Sequence, residues 1–571
     1  MSGGRASFEI QVQSEERWTI EEERDSEAAA HSVAKALIAK RQHRAVRIVK
    51  FWRRSDGIVT ETVIFSETMG AGETKVTPGQ IEEAPHCKKM RDYYRPESRE
   101  TIGRLFRKYL EKVILTPTEL IHSAKALKRM QEVDTLFPPA IDRVAALQAK
   151  AAQIDSRARR DEVYKAVAQM TQRARRTEEI PNLPSLRHND FARLVGETAT
   201  LAPPDEGEYV ALVVLSRDLM EHASWLAKLE RLVSLTQADL PAPALAILDG
   251  VYADLFGVPS ALQEVLGPRI NLAEAVIAIA DLCEGKLTTA APGMDETMGL
   301  INRLIAEGRL EETRTSLIDR LQRQLAGGQP LARNEPGLEG DALRRVALRL
   351  FTSAGLLGGP AMAAALTRRA VLLQEAGGKT GLRKAVEALT ALLPDSLMRL
   401  FYLRELAASD LREDLGETIE ECVAREMKAS SVDLLAPPRA TPTEKMRRVT
   451  RLYEEIGEAA VWQEELRGSL RGHLDRLLVG FIESKGIIEK LDDPSARLRD
   501  RAIRLLEFSA ARVLPAGSEA HRIARDRIVD ILRQPNFERH FIEGITSPAE
   551  AETLLRHLHG LLARGGYRLG G

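Results

Sequence analysis

The chain has 571 residues but only three cysteines, Cys87, Cys283 and Cys422, which lie far apart. So small and odd a set argues against a disulfide framework and is typical of a protein from a reducing compartment. The sequence begins without an apolar segment of signal-peptide length. Its longest uncharged run, residues 350–367, is interrupted by glycine and proline and is shorter than the ~20 residues that a transmembrane helix needs. We therefore expect no transmembrane segment and a cytoplasmic location.

The sequence also lacks the common motifs of enzymes and metal sites. It has no HExxH, no GxSxG and no GxGxxG after a strand pattern. The stretch GGKT at residues 377–380 resembles the end of a phosphate-binding loop, but Leu373 stands where such a loop needs a further glycine. His540, His557 and His559 have no cysteine or paired carboxylate to complete a metal site. We therefore predict no catalytic residue, no cofactor and no metal. A non-enzyme is favoured, and an enzyme whose site is assembled from dispersed helices is an alternative.

The first 67 residues show the pattern of a small sheet with one helix. Apolar and polar residues alternate over residues 8–12, around Trp18 and over residues 46–65, as half-buried strands require. Between the second and third of these segments, Asp25 or Ser26 can cap a helix with an apolar stripe. The pattern predicts a ββαββ module over residues 1–67. About 60 residues is near the lower limit for independent stability, so we expect this module to dock on something.

From about Pro96 to the end, apolar residues recur at spacings of three and four, as in amphipathic helices. Three segments, TPTE at residues 116–119, TPTE at 441–444 and SPAE at 547–550, share one arrangement. Each places a hydroxyl at the N-cap, proline at the first helical position and glutamate at the third, which predicts a helix start with a capping box.

The predicted fold class is mostly α. The small N-terminal ββαββ α+β module precedes a multi-domain all-α array, which is either an irregular solenoid or a set of tandem helical bundles. We place a linker at residues 68–95 and helical domains at 96–330 and 338–571. Residues 255–275 and 532–551 have similarly spaced prolines, apolar residues and an Ala-Glu-Ala sequence. The last domain is therefore a candidate divergent duplicate of the one before it.

Two basic segments, residues 88–112 and 157–176, are candidates for electrostatic binding. The first carries nine Lys and Arg against four Asp and Glu, interleaved with aromatic residues. On a helix, Arg104, Arg107 and Lys108 would share a face that attracts phosphates or an acidic partner. The whole chain has 82 Lys and Arg and 83 Asp and Glu, which argues against a dedicated nucleic-acid binder. Binding of nucleic acid or anionic lipid through these segments is therefore an alternative function.

The leading prediction is a non-enzymatic cytoplasmic scaffold or regulatory adaptor protein, because extended helical arrays offer surfaces that suit other proteins. The predicted partner is another protein of unknown identity, and a second copy of the chain is a further candidate. The candidate partner-binding residues are aromatic side chains of the N-terminal module and aromatic or basic side chains of the first basic segment. They are Trp18, Trp52, Arg91, Tyr93, Tyr94, Arg104, Arg107 and Lys108.

Overall fold

The computed structural model describes residues 5–14, 17–40, 45–53, 59–68, 76–186, 189–201, 203, 206–237, 239–288, 293–333, 335–352, 355–374, 377–437, 439–458 and 462–567. The chain divides into two compact units, and each is described by itself. The first unit comprises Met1–His86, Arg104–Tyr109 and Leu127–Lys165. The second unit comprises Cys87–Gly103, Leu110–Ala126 and Ala166–Gly571.

The N-terminal module contains four strands and one helix in the predicted order. These elements are β1 (Arg5–Ser14), β2 (Arg17–Arg24), α1 (Glu27–Lys40), β3 (Ala45–Arg53) and β4 (Val59–Thr68). The strands form one antiparallel sheet in the order β2-β1-β3-β4. Because side chains alternate between the two faces of a strand, one apolar set lies on the face that α1 covers. The core residues on that face and on α1 are Phe8, Ile10, Val12, Ala30, Ala34, Leu37, Val46 and Ile48. The ββαββ prediction is confirmed.

Helices form most of the remaining described chain. The first of them are α2 (Pro96–Leu105), α3 (Arg107–Val113), α4 (Pro117–Ile121), α5 (Ala124–Gln131), α6 (Phe137–Ala152), α7 (Ser156–Glu178), α8 (Phe191–Leu201), α9 (Gly207–Leu219), α10 (Trp225–Leu235), α11 (Ala242–Gly257), α12 (Pro259–Leu266), α13 (Leu272–Cys283), α14 (Asp295–Ala306) and α15 (Glu311–Ala326). A 3₁₀ helix, Met90–Tyr94, precedes α2 within the segment that the sequence predicts to be a linker.

The second half of the chain continues in the same way. It contains α16 (Glu339–Leu350), the two-residue strands β5 (Phe351–Thr352) and β6 (Gly355–Leu356), α17 (Gly359–Val371), α18 (Gly378–Leu392), α19 (Ser396–Ala407), α20 (Arg412–Glu426), α21 (Val432–Leu435), α22 (Pro442–Glu458), α23 (Glu464–Lys485), α24 (Ile487–Leu491), α25 (Leu498–Ala510), α26 (Glu519–Leu532), α27 (Phe537–Phe541) and α28 (Pro548–Gly565). A second 3₁₀ helix, Pro336–Leu338, precedes α16. The mostly α fold class is confirmed.

The three predicted helix starts are all present, at the prolines that begin α4, α22 and α28. At α4 the capping box is complete, because Thr116 accepts from the N–H of Glu119 and Glu119 accepts from the N–H of Thr116. At α22 the hydroxyl of Thr441 accepts from the N–H of the third helical residue at 3.3 Å. At α28 the Ser547 side chain makes no cap bond, so the capping box predicted there is wrong although the helix starts as expected.

An apolar core extends through the second unit from Leu186 to Leu562. Burial favours hydrogen bonding of the polar side chains in this core, and Arg369 is an example. The guanidinium of Arg369 donates to the carbonyls of Gln324 and Leu325, both at 2.8 Å, and so satisfies the carboxyl end of α15. The division into domains at 96–330 and 338–571, and their duplication, stay predictions.

Within the described residues, no single helix is long and apolar enough to cross a membrane. Helices α11 and α12 reach the length and apolar composition of a membrane-spanning segment only when they are taken together. The chain is bent by 89° where they meet. Most residues of α11 are buried in the apolar core of the second unit.

Candidate functional site

The face of the N-terminal sheet opposite α1 carries a mixed apolar and polar surface, which we call the open face. Residues paired across antiparallel strands point to the same side of a sheet. Gln11 pairs with Ile20 on β2 and with Arg47 on β3, and Val49 pairs with Val63 on β4, so these five side chains lie on the open face. The central Val49 is buried, whereas Ile20 is 59% and Val63 49% exposed. The open face therefore exposes apolar side chains near both edges of the sheet.

Trp18 also lies on the open face, because it precedes Ile20 by two residues on β2. It is half-buried, and the Arg47 guanidinium lies 4.3 Å above its ring, which is a favourable cation–π geometry. The Nε atom of Arg47 donates to the Oε1 atom of Gln11 at 2.8 Å, and Gln11 in turn donates to Glu9 at 2.8 Å. This chain of contacts holds the indole ring in one position against the sheet.

The second predicted tryptophan lies only partly within the described structure. The backbone of Trp52 belongs to β3, where it is aligned with Ala6 on β1 and Thr60 on β4. Its side chain falls outside the described residues. Its role in partner binding stays a prediction.

The predicted residues of the first basic segment fall in both compact units. Arg91, Tyr93 and Tyr94 lie in the 3₁₀ helix of the second unit, where Arg91 is exposed and both tyrosines are half-buried. Arg104 lies near the end of α2, and Arg107 and Lys108 lie in α3, in the first unit. Arg104 is half-buried, and the other two are exposed. The helix that was predicted to align these three cations is interrupted at Phe106.

Tyr94 belongs to a buried aromatic cluster that the sequence did not indicate. Its ring lies 5.3 Å from the rings of both His122 and Tyr209, which are themselves 4.9 Å apart. The Arg173 guanidinium lies 3.6 Å over the Tyr209 ring and pairs with Glu206 at 2.6 Å. A cation held between aromatic faces and a carboxylate stabilises packing. Tyr94 therefore has a structural environment rather than a free binding surface.

His122 is buried in this cluster as a neutral imidazole. Its Nδ1 atom donates to the carbonyl of Thr118 at 2.8 Å. Burial lowers the pKa of His122 to about 3, with smaller contributions in the same direction from Arg99 and Arg173. Its Nε2 atom and the hydroxyl of Tyr209 have no hydrogen-bond partner of good geometry among the described residues.

Arg99, which the sequence counts among the cations of the first basic segment, is buried and links three helices. Its Nε atom donates to Asp254 on α11 at 3.1 Å, and its Nη2 atom pairs with Glu312 on α15. It also donates to the carbonyl of Tyr94 at 2.9 Å. The second oxygen of Asp254 accepts from the N–H of Thr118 at 2.8 Å, which connects α4 to the same carboxylate. Arg99 is thus a structural cation, not a surface one.

Glu312 has the most displaced carboxyl pKa of this network. Burial is the main cause that raises the pKa of Glu312 to about 7; the nearby carboxylates Asp254 and Asp249 act in the same direction, and Arg99 opposes them. Asp249 lies close because it caps α15, where it accepts from the N–H groups of Glu312 and Thr313 at 2.8 and 2.9 Å.

A second buried pair joins α4 to α10. The ammonium of Lys228 pairs with the carboxylate of Glu119 and donates to the carbonyl of Ile114 at 2.6 Å. Lys228 is 1% and Glu119 0% exposed. The capping box that the sequence shows at Thr116 is therefore part of an internal ion pair.

The second basic segment is also largely neutralised. Arg159 is buried and pairs with Glu162 at 2.7 Å, and Arg175 pairs with Glu179 at 2.9 Å. Together with the Arg173 pair, these contacts occupy three of the six arginines that the sequence places between residues 157 and 176. Surface ion pairs of this kind leave less net charge for a ligand.

The groups with displaced pKa values do not line the groove that the second unit presents between α15, α17 and the end of α19. This groove has a volume of about 400 Å³. Its lining consists of Gln322, Arg323, Ala326, Pro360, Ala361, Ala365, Arg368, Ala408, Ser409 and Asp410. Arg323 pairs with Glu100 and Arg368 with Asp410. Among the described residues, no group of three or more His, Cys, Asp or Glu could hold a metal ion.

Comparisons of the chain with known proteins do not connect these features to a function. No protein-family model, curated protein or solved structure matches it. The arguments that follow therefore rest on the sequence and the structure.

Proposed function

We propose that this chain is a non-enzymatic scaffold or regulatory adaptor protein of the cytoplasm, and that its N-terminal module binds a protein partner. The observation that carries the proposal is the open face, where Ile20 and Val63 are about half exposed beside the half-buried Trp18. Exposed apolar side chains on a sheet face, here Ile20 near one edge and Val63 near the other with polar side chains between them, mark a candidate protein-binding site. Aromatic side chains supply much of the energy of such sites, which gives Trp18 the role of an anchor.

The electrostatic alternative, binding of nucleic acid or anionic lipid through residues 88–112 and 157–176, has less support. Its predicted cations include the buried Arg99 and the paired residues Arg159, Arg173 and Arg175. Cations that are already paired inside the protein contribute little to phosphate binding. The exposed cations of the first segment, among them Lys88, Lys89, Arg91, Lys108 and Lys112, are the residues through which that alternative would act.

The test compares affinity capture by the full chain with capture by the double variant Ile20→Asp/Val63→Asp, followed by quantitative mass spectrometry. A control variant, Leu434→Asp, places the same charge at an apolar residue that is 63% exposed on α21. Nuclease treatment of half of each sample separates protein partners from those held through nucleic acid. We expect a protein partner that resists nuclease, is retained by the control and is lost with the double variant. An unchanged partner list in the double variant would contradict the proposal.

A further inference from the structure

Strand β2 is an edge strand of the N-terminal sheet, with β1 as its neighbour in the strand order. An edge strand directs every second set of backbone N–H and C=O groups away from the sheet, where another chain can pair with them. The eight residues of β2, RWTIEEER, contain neither proline nor glycine, so every residue keeps its backbone N–H, and the charges of the strand and its register shift against β1 limit pairing to a partner that complements them. A backbone template is therefore present at this edge.

The side chains of β2 and the residues just after it are predominantly acidic. Residues 17–27 carry five carboxylates and two guanidinium groups. Glu22 pairs with Arg24 in the same strand. Glu21 and Glu23 are exposed, and neither has an ion-pair partner among the residues that the structure describes. The edge thus combines unneutralised carboxylates with the apolar side chains of Trp18 and Ile20.

We propose that β2 binds an extended, basic segment of a partner protein by strand addition, a proposal that rests on the protein-interaction function given above. In this mode the backbone of the segment pairs with β2. Alternate apolar side chains of the segment contact Trp18 and Ile20, because side chains of adjacent strands lie side by side on one face. Its Lys or Arg side chains pair with Glu21 and Glu23. A second copy of β2 carries the same excess of carboxylates and matches this charge less well than a basic segment does.

The probe is a fluorescent octapeptide of alternating lysine and valine, titrated with the full-length chain and followed by fluorescence anisotropy. A glutamate–valine octapeptide tests charge. A lysine–valine octapeptide that is N-methylated at alternate residues keeps its charge but cannot complete the backbone ladder. We expect binding of the first peptide only. Binding of the N-methylated peptide with equal affinity would overturn strand addition, and so would failure of the first peptide to bind.

Protein variants locate the binding. We expect the double variant Glu21→Gln/Glu23→Gln to weaken binding of the lysine–valine peptide about tenfold, as the loss of two exposed charge contacts predicts. The matched variant Glu417→Gln/Glu420→Gln, which removes two exposed carboxylates from α20, should leave the affinity unchanged. Equal weakening by both variants would show non-specific attraction and overturn the assignment to β2.

The capture experiment with Ile20→Asp/Val63→Asp distinguishes failure of this inference from failure of the proposed function. If that variant loses a protein partner but the peptide does not bind β2, the interaction function stands and strand addition by a basic segment is wrong. If light scattering instead shows a dimer of the full chain that Ile20→Asp dissociates, the occupant is a second copy and the basic segment is again excluded. If neither partner nor peptide depends on these residues, both proposals fail.

Discussion

Replacing Lys228 by methionine tests how the second unit is held together. Lys228 on α10 pairs with Glu119 on α4, and both side chains are almost completely buried. Methionine fills a similar volume without a charge or a donor, so the substitution removes the cation with little change in packing. The carboxylate of Glu119 is then left in the interior without its counter-ion.

The expected magnitude follows from the contacts that Glu119 keeps and loses. Its Oε2 atom still accepts from the N–H and hydroxyl of Thr116 at 2.8 and 2.9 Å. Its Oε1 atom loses the ammonium, and the carbonyl of Ile114 loses a donor as well. Removing one partner of a buried ion pair costs about 3–5 kcal/mol, because the remaining charge has neither water nor a counter-ion. We expect Lys228→Met to destabilise the contact between α4 and α10 by that amount.

A double variant separates the charge from the packing. Glu119→Gln keeps a carbonyl oxygen that accepts from Thr116 but removes the negative charge. In Glu119→Gln/Lys228→Met neither charge is buried, so we expect the cost to fall to about 1–2 kcal/mol. The difference between the single and double variants measures the penalty of the unpaired carboxylate.

Hydrogen exchange followed by mass spectrometry is the appropriate assay, because a chain with two compact units has no single free energy of unfolding. Peptides that cover α4 and α10 report the local opening, and peptides from α26 should not change. Arg193→Met breaks the exposed pair between Arg193 and Glu197 at 2.6 Å and serves as the control, with an expected cost below about 0.5 kcal/mol. A Lys228→Met effect no larger than this control would refute the reasoning, and so would a double variant less stable than the single one.

Three further predictions concern other buried groups. Because burial raises the pKa of Glu312 from 4.5 to about 7, the native state binds more protons between these values. The free energy of local opening of α15 should fall by at most about 3 kcal/mol as pH rises from 4.5 to 7, and Glu312→Gln should remove this pH dependence in hydrogen exchange. Asp492→Asn, at a carboxylate fully buried between two arginines of α25 and α26, should lower local stability by about 2–4 kcal/mol in hydrogen exchange, whereas Asp493→Asn at its half-buried neighbour should have a clearly smaller effect. A Cβ atom at Gly250 would lie 3.0 Å from a guanidinium nitrogen, so Gly250→Ala should lower thermal stability by about 1–3 kcal/mol, whereas Gly257→Ala on the same helix, with open space at its Cβ, should be neutral or stabilising.

Much of the fold could be predicted from the sequence, because periodicity and helix caps act locally. The change from alternating to helical spacing near residue 96 correctly separated the sheet module from the helices. Proline after a hydroxyl residue marked the starts of α4, α22 and α28. The interruption at Phe106 left no such signal, because neither glycine nor proline occurs there, and packing of the surrounding residues determines it.

The composition of the open face could be predicted only in part. The register of β1 with β2 shifts between Ile10 and Gln11, and that of β3 with β4 shifts between Ile48 and Val49. A bulge of this kind changes which later residues share a face with earlier ones. Nothing in the local sequence marks either shift, so the alternation that relates Trp18 to Ile20 on β2 did not indicate that Val63 on β4 lies on the same face.

The environment of Arg99 in the first basic segment could not be predicted, because its partners are remote in sequence. Arg99 pairs with Asp254 and Glu312, which lie 155 and 213 residues further along the chain. A local count of cations cannot distinguish such a residue from an exposed one such as Lys108. The aromatic cluster around His122 was missed for the same reason, since its members come from separate helices.

The expected charge of the partner changes once the charged residues that form ion pairs inside the protein are left out of account. The cations between residues 88 and 112 suggested an acidic or phosphate-bearing partner. However, Arg99 forms ion pairs inside the protein, and Tyr94 packs against His122. The carboxylates of Glu21 and Glu23 have no ion-pair partner among the described residues. They lie beside exposed apolar side chains on a strand that has no second neighbour in the described sheet. Charge that is exposed, unpaired and adjacent to apolar surface is the charge that selects a partner. By that criterion we expect the partner proposed for the N-terminal module to be basic rather than acidic.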